Sequence, residues 1–265
     1  MTRVLRGKTA RIAGVLTAAG SGSRLGHAVP KALVELVPGR PETSLLALAA
    51  SRLAAVENMR AIVVTAPQGL EDQFSAVLTP LELSVPWQVV AGSVTRQASV
   101  ASGLAALTKM ASSNASYFDA ALVHDAARAL APTAMMDRVV AAVLEGRNAV
   151  IPALAVTDTI KVVAAQPSGA VVVIGATERE TLRAVQTPQG FAWPTLLKAH
   201  GHAAHLANEE STAATDDSSM AQWIGEQVYV VDGSQQAVKI TTESDLQLAR
   251  TLLHAKGSTH SEETA

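Results

Sequence analysis

Short runs of consecutive apolar residues alternate with longer alanine- and leucine-rich segments as far as Pro152. Each run places apolar side chains on both of its faces, which is typical of strands buried in a parallel sheet. In the longer segments apolar residues such as Leu45, Leu48 and Ala49 recur at helical spacing. The strands are predicted at 12–17, 61–65, 87–90, 120–124 and 149–154, and the helices at 43–56, 69–78, 95–110 and 133–145. This alternation predicts a three-layer α/β fold with a mostly parallel sheet.

The pattern changes after Pro152. Two β-rich runs, at 159–165 and 170–174, flank the turn sequence AAQPSG with no helix between them, which predicts a hairpin. An isolated ribbon cannot bury both of its faces, so we expect an arm at about 158–180 that packs on a second subunit. Beyond it the pattern predicts a loop at 186–191, helices at 193–206, 216–224 and 242–255, and a strand at 227–231. One domain is expected over residues 1–256, followed by a polar, disordered tail at 257–265.

Composition excludes several classes of function. The 265 residues include no cysteine, which removes disulfides, zinc-thiolate sites, iron–sulfur clusters and cysteine nucleophiles. The net charge is −2 and aromatic residues make up 3%, so we expect no nucleic-acid-binding surface. Basic residues before the apolar run at 12–19 suggest a signal peptide, but that run is short and contains Gly14 and Thr17. No run reaches the ~20 apolar residues of a membrane span. We therefore expect a cytoplasmic protein with no membrane partner.

A glycine-rich loop follows the first predicted strand, in the sequence AAGSGSRLGHAVPKAL at 18–33. Its glycines and serines let backbone amides approach an anion closely, and Arg24 and Lys31 add two positive charges. A dinucleotide-binding loop fits less well, because the third glycine comes one place late, at Gly26. The P-loop spacing also fails, since alanine follows Lys31. The residues favour triphosphate binding, with a purely structural turn as the alternative.

The same loop, A-A-G-x-G-x-R-x-G followed by P-K, resembles that of the nucleotidyltransferases that activate sugar and polyol phosphates. Further segments make the chain similar to the 2-C-methyl-D-erythritol 4-phosphate cytidylyltransferase family: GSVTRQASV (92–100), VHDAARAL (123–130), DTIK (158–161), QTPQGF (186–191), TDDSS (215–219) and VKIT (238–241). The resemblance covers about residues 12–255. It implies a Rossmann-like nucleotidyltransferase fold with a β-arm that forms a homodimer. It also implies transfer of CMP from CTP to the polyol phosphate, with release of pyrophosphate, in the non-mevalonate isoprenoid pathway.

The resemblance further implies roles for individual residues. The catalytic cations at the CTP phosphates would be Arg24, Lys31 and Lys239. Other contacts to the nucleotide would come from Ala18, Ala19, Gly20, Ser21, Gly22, Gly92, Ser99 and Asp125. The polyol phosphate would contact Asp125, Arg128, Thr159, Thr187, Thr215 and, from the partner subunit, Arg179. Mg²⁺ would be held mainly by the CTP phosphates, with Asp125 as a further candidate ligand.

The chemistry of such a transfer agrees with these residue types. An oxygen of a phosphate monoester is already anionic at neutral pH, so its attack on the α-phosphorus needs no general base. The site must instead supply positive charge and in-line positioning, which arginine and lysine side chains provide. Such a reaction therefore does not require a histidine in the role of base.

Several of these residues also have structural interpretations. His124 ends a predicted buried strand, where a histidine with no catalytic role is common. Asp125 could cap the helix that follows, and Asp216 and Asp217 are interpreted first as helix caps. Arg179 could instead pair with an adjacent glutamate on a solvated turn.

Three other functions can be compared with this one. Ribitol 5-phosphate cytidylyltransferase is the nearest, but Thr159 with Lys161 in DTIK, and the sequence HDAAR, favour the methylerythritol enzyme. An NAD(P) oxidoreductase of the short-chain type needs Tyr-x-x-x-Lys, and neither Tyr117 nor Tyr229 has a lysine four residues later. A catalytically inactive regulator that binds CTP would lack one of the three cations, and all three are present.

Overall fold

A central sheet with helices on both faces forms the body of the protein. The computed structural model describes residues 10–20, 29–113 and 117–259. The strands are β1 (Ile12–Thr17), β2 (Met59–Ala66), β3 (Trp87–Ala91), β4 (Ala120–Asp125), β5 (Ala149–Ala155), β6 (Lys161–Ala165), β7 (Val171–Ala176), β8 (Arg183–Val185), β9 (Gln189–Ala192) and β10 (Val228–Asp232). The helices are α1 (Leu45–Ala54), α2 (Glu71–Leu78), α3 (Arg96–Ser113), α4 (Thr133–Leu144), α5 (Trp193–His202), α6 (Asp217–Trp223) and α7 (Glu243–Thr259).

The main sheet is mostly parallel. Its order is β10, β5, β9, β4, β1, β2 and β3, and β8 pairs with the far end of β5. Within the described ranges β8 and β9 are the antiparallel members. Because β1 and β4 are parallel neighbours, the loops that follow them emerge side by side at one edge of the sheet. The predicted α/β fold with a mostly parallel sheet is confirmed.

The uninterrupted apolar runs reflect burial of the sheet on both faces. In β1, Ile12 and Leu16 pack in a cluster with α1, α2 and α4. The intervening Ala13 and Val15 pack in a second cluster with α3 and α5. Alternate residues of a strand point to opposite faces, so neither face of β1 can be polar. The helices therefore form one layer on each side of the sheet, as the sequence pattern predicted.

The prediction of a loop at 186–191 was wrong in its second half. Residues from Gln189 onward form β9, which inserts antiparallel between β4 and β5. A side chain at Gly190 would overlap the side chain of Val139 on α4, so glycine is required by packing. Strand β9 has only four residues and contains glycine, which has low strand propensity, so the sequence does not reveal it. Strand β8 was not predicted because three residues are too few to display an alternating pattern.

The predicted hairpin is present as a separate two-stranded sheet. Strands β6 and β7 pair antiparallel with each other, and Gly169 takes a positive φ of 82° in the turn between them. Apolar side chains on the hairpin are exposed in this chain, among them Val163, Val171 and Ile174. An antiparallel ribbon with exposed apolar side chains and no layer beneath it lacks a core of its own.

The last helix fixes the segment that precedes it. Asp245 accepts hydrogen bonds from the backbone of Thr241 and Thr242, both at 2.8 Å, and so caps the start of α7. Ile240 is buried, and its amide donates to the carbonyl oxygen of Ala127 at 2.8 Å. This bond holds the segment before α7 against the loop after β4. Helix α7 continues to Thr259, and residues 260–265 lie outside the described ranges; the disordered tail at 257–265 stays a prediction.

Among the described residues, no helix combines the length and the apolar character needed to cross a membrane.

Candidate active site

A cavity of about 450 Å³ lies where the loops after β1 and β4 meet. Its wall also includes the N-terminal turn of α3 and the segment before α7. The residues predicted to bind the nucleotide that line it are Ala18, Ala19, Gly20, Lys31, Ser99, Asp125 and Lys239. Three further predicted residues, Ser21, Gly22 and Arg24, lie outside the described ranges. The topology thus brings together residues from both ends of the sequence.

Asp125 is the centre of charge in this cavity. Its Oδ2 lies 2.8 Å from Nζ of Lys239, and its Oδ1 lies 3.2 Å from Nε of Arg96. The hydroxyl of Thr17 also donates to Oδ1, at 3.2 Å. Burial raises the pKa of this carboxyl, but the charges of Arg96 and Lys239 outweigh burial and hold the pKa well below its usual range. Asp125 makes no capping hydrogen bond, so the cap interpretation does not describe it.

Arg96 is a site residue that the sequence analysis did not identify. Its guanidinium joins Asp125 to Asp217, whose Oδ2 accepts from Nη1 at 2.7 Å. Asp217 is fully buried, and its Oδ1 lies 2.9 Å from Nε2 of His200. Burial raises the pKa of Asp217, but the charge of Arg96 and the bond to His200 lower it below the usual range. Arg96 and Asp217 are 121 positions apart, so no local spacing signals this pair.

The interpretation of TDDSS as two helix caps holds for one of its aspartates. Asp216 caps α6 by accepting from the amide of Ser219 at 3.1 Å. Asp217, one residue later, instead faces the interior and holds Arg96. The sequence alone could not separate these two roles, because both positions are favourable for a carboxylate at a helix start.

The turn before α3 shapes another wall of the cavity. Ser99 accepts from the amide of Ser93 at 2.9 Å and donates to the carbonyl of Thr95 at 2.8 Å. A side chain at Gly92 would overlap the Cβ of Ala19, so glycine allows the two loops to approach each other closely. Glu210 adds an exposed carboxylate to the cavity wall, which the sequence analysis did not identify.

Comparison with known proteins identifies the family. The model for the 2-C-methyl-D-erythritol 4-phosphate cytidylyltransferase family matches residues 12–255. The chain belongs to this family. A curated relative of that name from Nocardia farcinica is 42% identical over 247 residues, which cover 93% of this chain and 96% of the relative. The chain is therefore a cytidylyltransferase, and the nucleotidyltransferase class expected from the motifs is confirmed.

Solved structures of cytidylyltransferases share the fold. The 4-diphosphocytidyl-2C-methyl-D-erythritol synthase of Anaerococcus prevotii is 27% identical, with a TM-score of 0.72 over 93% of this chain and all of that one. The 2-C-methyl-D-erythritol 4-phosphate cytidylyltransferase of Thermus thermophilus is 32% identical, with a TM-score of 0.64 over 90% of this chain and 97% of that one. The Rossmann-like nucleotidyltransferase architecture expected for the cytidylyltransferase is confirmed.

Two residues predicted to bind the polyol phosphate connect the segments that form the walls of the cytidylyltransferase cavity. Arg128 donates to the carbonyl oxygens of Ala237 at 2.7 Å and of Val185 at 3.0 Å. Thr187 is buried, and its hydroxyl accepts from the amide of Asp125 at 3.0 Å. Both side chains therefore position the segments around Asp125 and do not line the cavity of this chain.

The other three predicted residues of the polyol site lie away from the cavity within one chain. Thr159 and Thr215 are exposed and do not line it. Arg179 is half-exposed, and its Nε lies 3.3 Å from the carboxylate of Glu180 while its Nη1 donates to the carbonyl of Thr157 at 3.0 Å. In this chain Arg179 thus makes the local pairing that the sequence left as an alternative.

His124 is a buried histidine behind the site, not a group in it. Its Nδ1 lies 3.1 Å from the hydroxyl of Thr187, and its Nε2 makes no hydrogen bond within the described part of the chain. Burial lowers its pKa to about 4, and the nearby charge of Asp125 only partly opposes this. The ring is therefore neutral at physiological pH, in agreement with a structural role.

We expect His124 to make stability depend on pH between about 6.5 and 4. In this window the unfolded chain takes up a proton on the imidazole while the folded chain does not, so the free energy of unfolding falls as pH falls. The loss reaches about 3 kcal/mol at the acid end. His124→Asn retains a partner for Thr187 but cannot titrate, so its stability should decline less. Urea unfolding at pH 6.5, 5.5 and 4.5 measures the difference, with exposed His205→Asn as control. Parallel curves for wild type and His124→Asn would contradict this role.

Proposed function

We propose that the protein uses this cavity to transfer a cytidylyl group from CTP to 2-C-methyl-D-erythritol 4-phosphate, within the non-mevalonate isoprenoid pathway. The products are 4-diphosphocytidyl-2-C-methyl-D-erythritol and pyrophosphate. The observation that carries this proposal is the placement of Lys31 and Lys239 on one cavity with the loop of Ala18, Ala19 and Gly20. The family match favours the methylerythritol substrate over ribitol 5-phosphate.

The reaction requires positive charge more than proton transfer. An anionic oxygen of the polyol phosphate attacks the α-phosphorus of CTP; a new P–O bond forms as the bond to pyrophosphate breaks. Lys31 and Lys239 would stabilise the negative charge that builds up on the α-phosphate and the leaving group. Arg24 would add a third cation in the same loop as Lys31. No side chain has to accept a proton, which agrees with a neutral, buried His124.

The base of CTP would lie against the turn before α3. Ser99 holds this turn through its hydrogen bonds to residues 93 and 95. Because position 92 is glycine, its loop lies close to the side chain of Ala19, which supports a narrow slot for a pyrimidine. A purine would exceed the slot and misplace its hydrogen bonds.

Mg²⁺ would enter this site on the phosphate oxygens of CTP. Within the described ranges, no three His, Asp or Glu side chains cluster as a metal site would require. Both oxygens of Asp125 pair with cationic side chains, so Asp125 could offer Mg²⁺ only the oxygen that Lys239 leaves when it binds the phosphate. The protein's own contribution is then the positive charge of its lysines and arginines.

The hairpin would join two chains into a homodimer. Exposed apolar side chains of β6 and β7 provide a surface that a second copy of the same arm can bury. Thr159 and Arg179 lie at the two ends of this arm, where they would face the partner's cavity. A guanidinium suits a phosphate dianion through two parallel hydrogen bonds. The cytoplasmic location stays a prediction.

The test is release of pyrophosphate from purified protein. With CTP and 2-C-methyl-D-erythritol 4-phosphate we expect turnover, and with ribitol 5-phosphate we expect far less. ATP or GTP in place of CTP should also give little product. Equal rates with ribitol 5-phosphate would reassign the substrate, and equal rates with ATP would refute the pyrimidine slot.

A further inference from the structure

Arg96 lies between two carboxylates with different surroundings. Asp125 belongs to the cavity wall, whereas Asp217 is fully buried beneath it. The guanidinium reaches Asp125 through Nε and Asp217 through Nη1, at 3.2 and 2.7 Å. His200 holds the other oxygen of Asp217, at 2.9 Å. The guanidinium of Arg96 is thus held in the interior by Asp217, while its Nε contacts Asp125 in the wall of the active site.

Asp125 pairs with two cationic side chains, Arg96 and Lys239. The proposed reaction requires Lys239 at the α-phosphate of CTP. Lys239 lies 2.8 Å from Oδ2, while Arg96 and the hydroxyl of Thr17 hold Oδ1. When Lys239 turns its ammonium to the α-phosphate, its pairing with this carboxylate would weaken or be lost. A carboxylate that is nine-tenths buried and loses its counter-charge is strongly unfavourable. Arg96, held by Asp217, would remain beside Oδ1 and reduce this cost.

We propose that Arg96 is a positioning residue, which balances the charge of Asp125 from its anchor on Asp217 and thereby frees Lys239 for the phosphate. This proposal rests on the proposed function and adds a residue to it. Lysine cannot replace Arg96, because a single ammonium does not span two carboxylates in the geometry of a planar fork. The contact to Asp217 stabilises the fold, and the contact to Asp125 serves the reaction.

The charge balance predicts how three variants differ. Arg96→Gln should lower kcat about tenfold or more, with a smaller change in KM for CTP, because Lys239 then stays on Asp125. Arg96→Gln/Asp217→Asn should recover the melting temperature, since no buried charge is left unpaired, yet keep the low kcat. Arg96→Gln/Asp125→Asn should recover kcat several-fold over Arg96→Gln, because a neutral amide no longer retains Lys239. Asp125→Asn alone completes the comparison.

A second measurement does not depend on turnover. A short pulse of an amine-reactive reagent, followed by peptide mass spectrometry, reports how available Lys239 is. Its labelling should decrease in Arg96→Gln and return in Arg96→Gln/Asp125→Asn. The control is Arg138→Gln, which removes an exposed arginine that binds the carbonyl of Asp232 at 3.0 Å, outside the cavity. This control should leave labelling and kcat unchanged.

The outcomes separate the two roles. If Arg96→Gln/Asp217→Asn recovers kcat together with the melting temperature, Arg96 acts on stability alone and the proposal fails. It fails also if Lys239 labelling is the same in wild type and Arg96→Gln. If Arg96→Gln does not fold, the charge-balanced double variant carries the comparison, and its kcat should rise when Asp125→Asn is added. Absence of turnover in the wild type would refute the proposed function, whereas the labelling result would still test Arg96.

Discussion

Replacing Lys239 by methionine should lower kcat on the order of 10²-fold while raising the KM for CTP far less. The ammonium lies in the cavity wall, 2.8 Å from Asp125, and is held there by the segment that Ile240 anchors. A cation placed in advance at the position where negative charge develops stabilises the transition state more than the ground state. Methionine keeps much of the apolar stem and removes only the charge. Lys31→Met should behave in the same way, since Lys31 lines the same cavity from the loop that follows β1.

Steady-state kinetics with varied CTP separate kcat from KM for both variants. Lys198→Met is the matched control, because Lys198 is exposed on α5 and does not line the cavity. Its kinetics should equal those of the wild type. A Lys239→Met enzyme with near-normal kcat would assign Lys239 to a pairing role with Asp125 and remove it from the reaction.

Mixing two inactive variants should restore activity if the polyol phosphate is bound by residues of both chains. Arg179→Ala removes the group that would reach the partner's site, and Lys31→Ala damages the site of its own chain. A mixed dimer then holds one site with both defects and one intact site. With random exchange between equal amounts of the two chains, about a quarter of the wild-type activity should return. Each variant alone should be nearly inactive.

The control for this experiment mixes Lys31→Ala with Lys239→Met. Both residues line the same cavity of one chain, so a mixed dimer has no intact site and should stay inactive. Exchange of subunits is checked by copurification of differently tagged chains. If chains exchange and activity does not return with Arg179→Ala, then Arg179 acts within its own chain, where it pairs with Glu180.

Local pattern was sufficient for most of the secondary structure. Strand β1 occupies the predicted residues 12–17, and α4 spans Thr133–Leu144 against a prediction of 133–145. Apolar residues repeat every two positions in a half-buried strand and every 3.6 positions in a helix. Such repeats involve residues close together in the chain, so the sequence displays them directly. The hairpin could also be predicted, because a turn sequence between two β-rich runs is local information. Family motifs added the residues of the glycine loop and Lys239.

Pairings between distant segments could not be predicted in this way. Strand β9 is stabilised by its two neighbours in the sheet, and its own residues have little tendency to form a strand. The contact of Arg96 with Asp217 depends on how α3 and α6 pack on the same face of the sheet. Thr187 is buried and accepts from the amide of Asp125, and its predicted contact with substrate stays a prediction. The sequence by itself determined the fold class and the family, and it predicted the cations of the reaction. The tertiary structure decided which carboxylates pair with Lys239 and Arg96, because sheet order, and not spacing along the chain, brings these charges together.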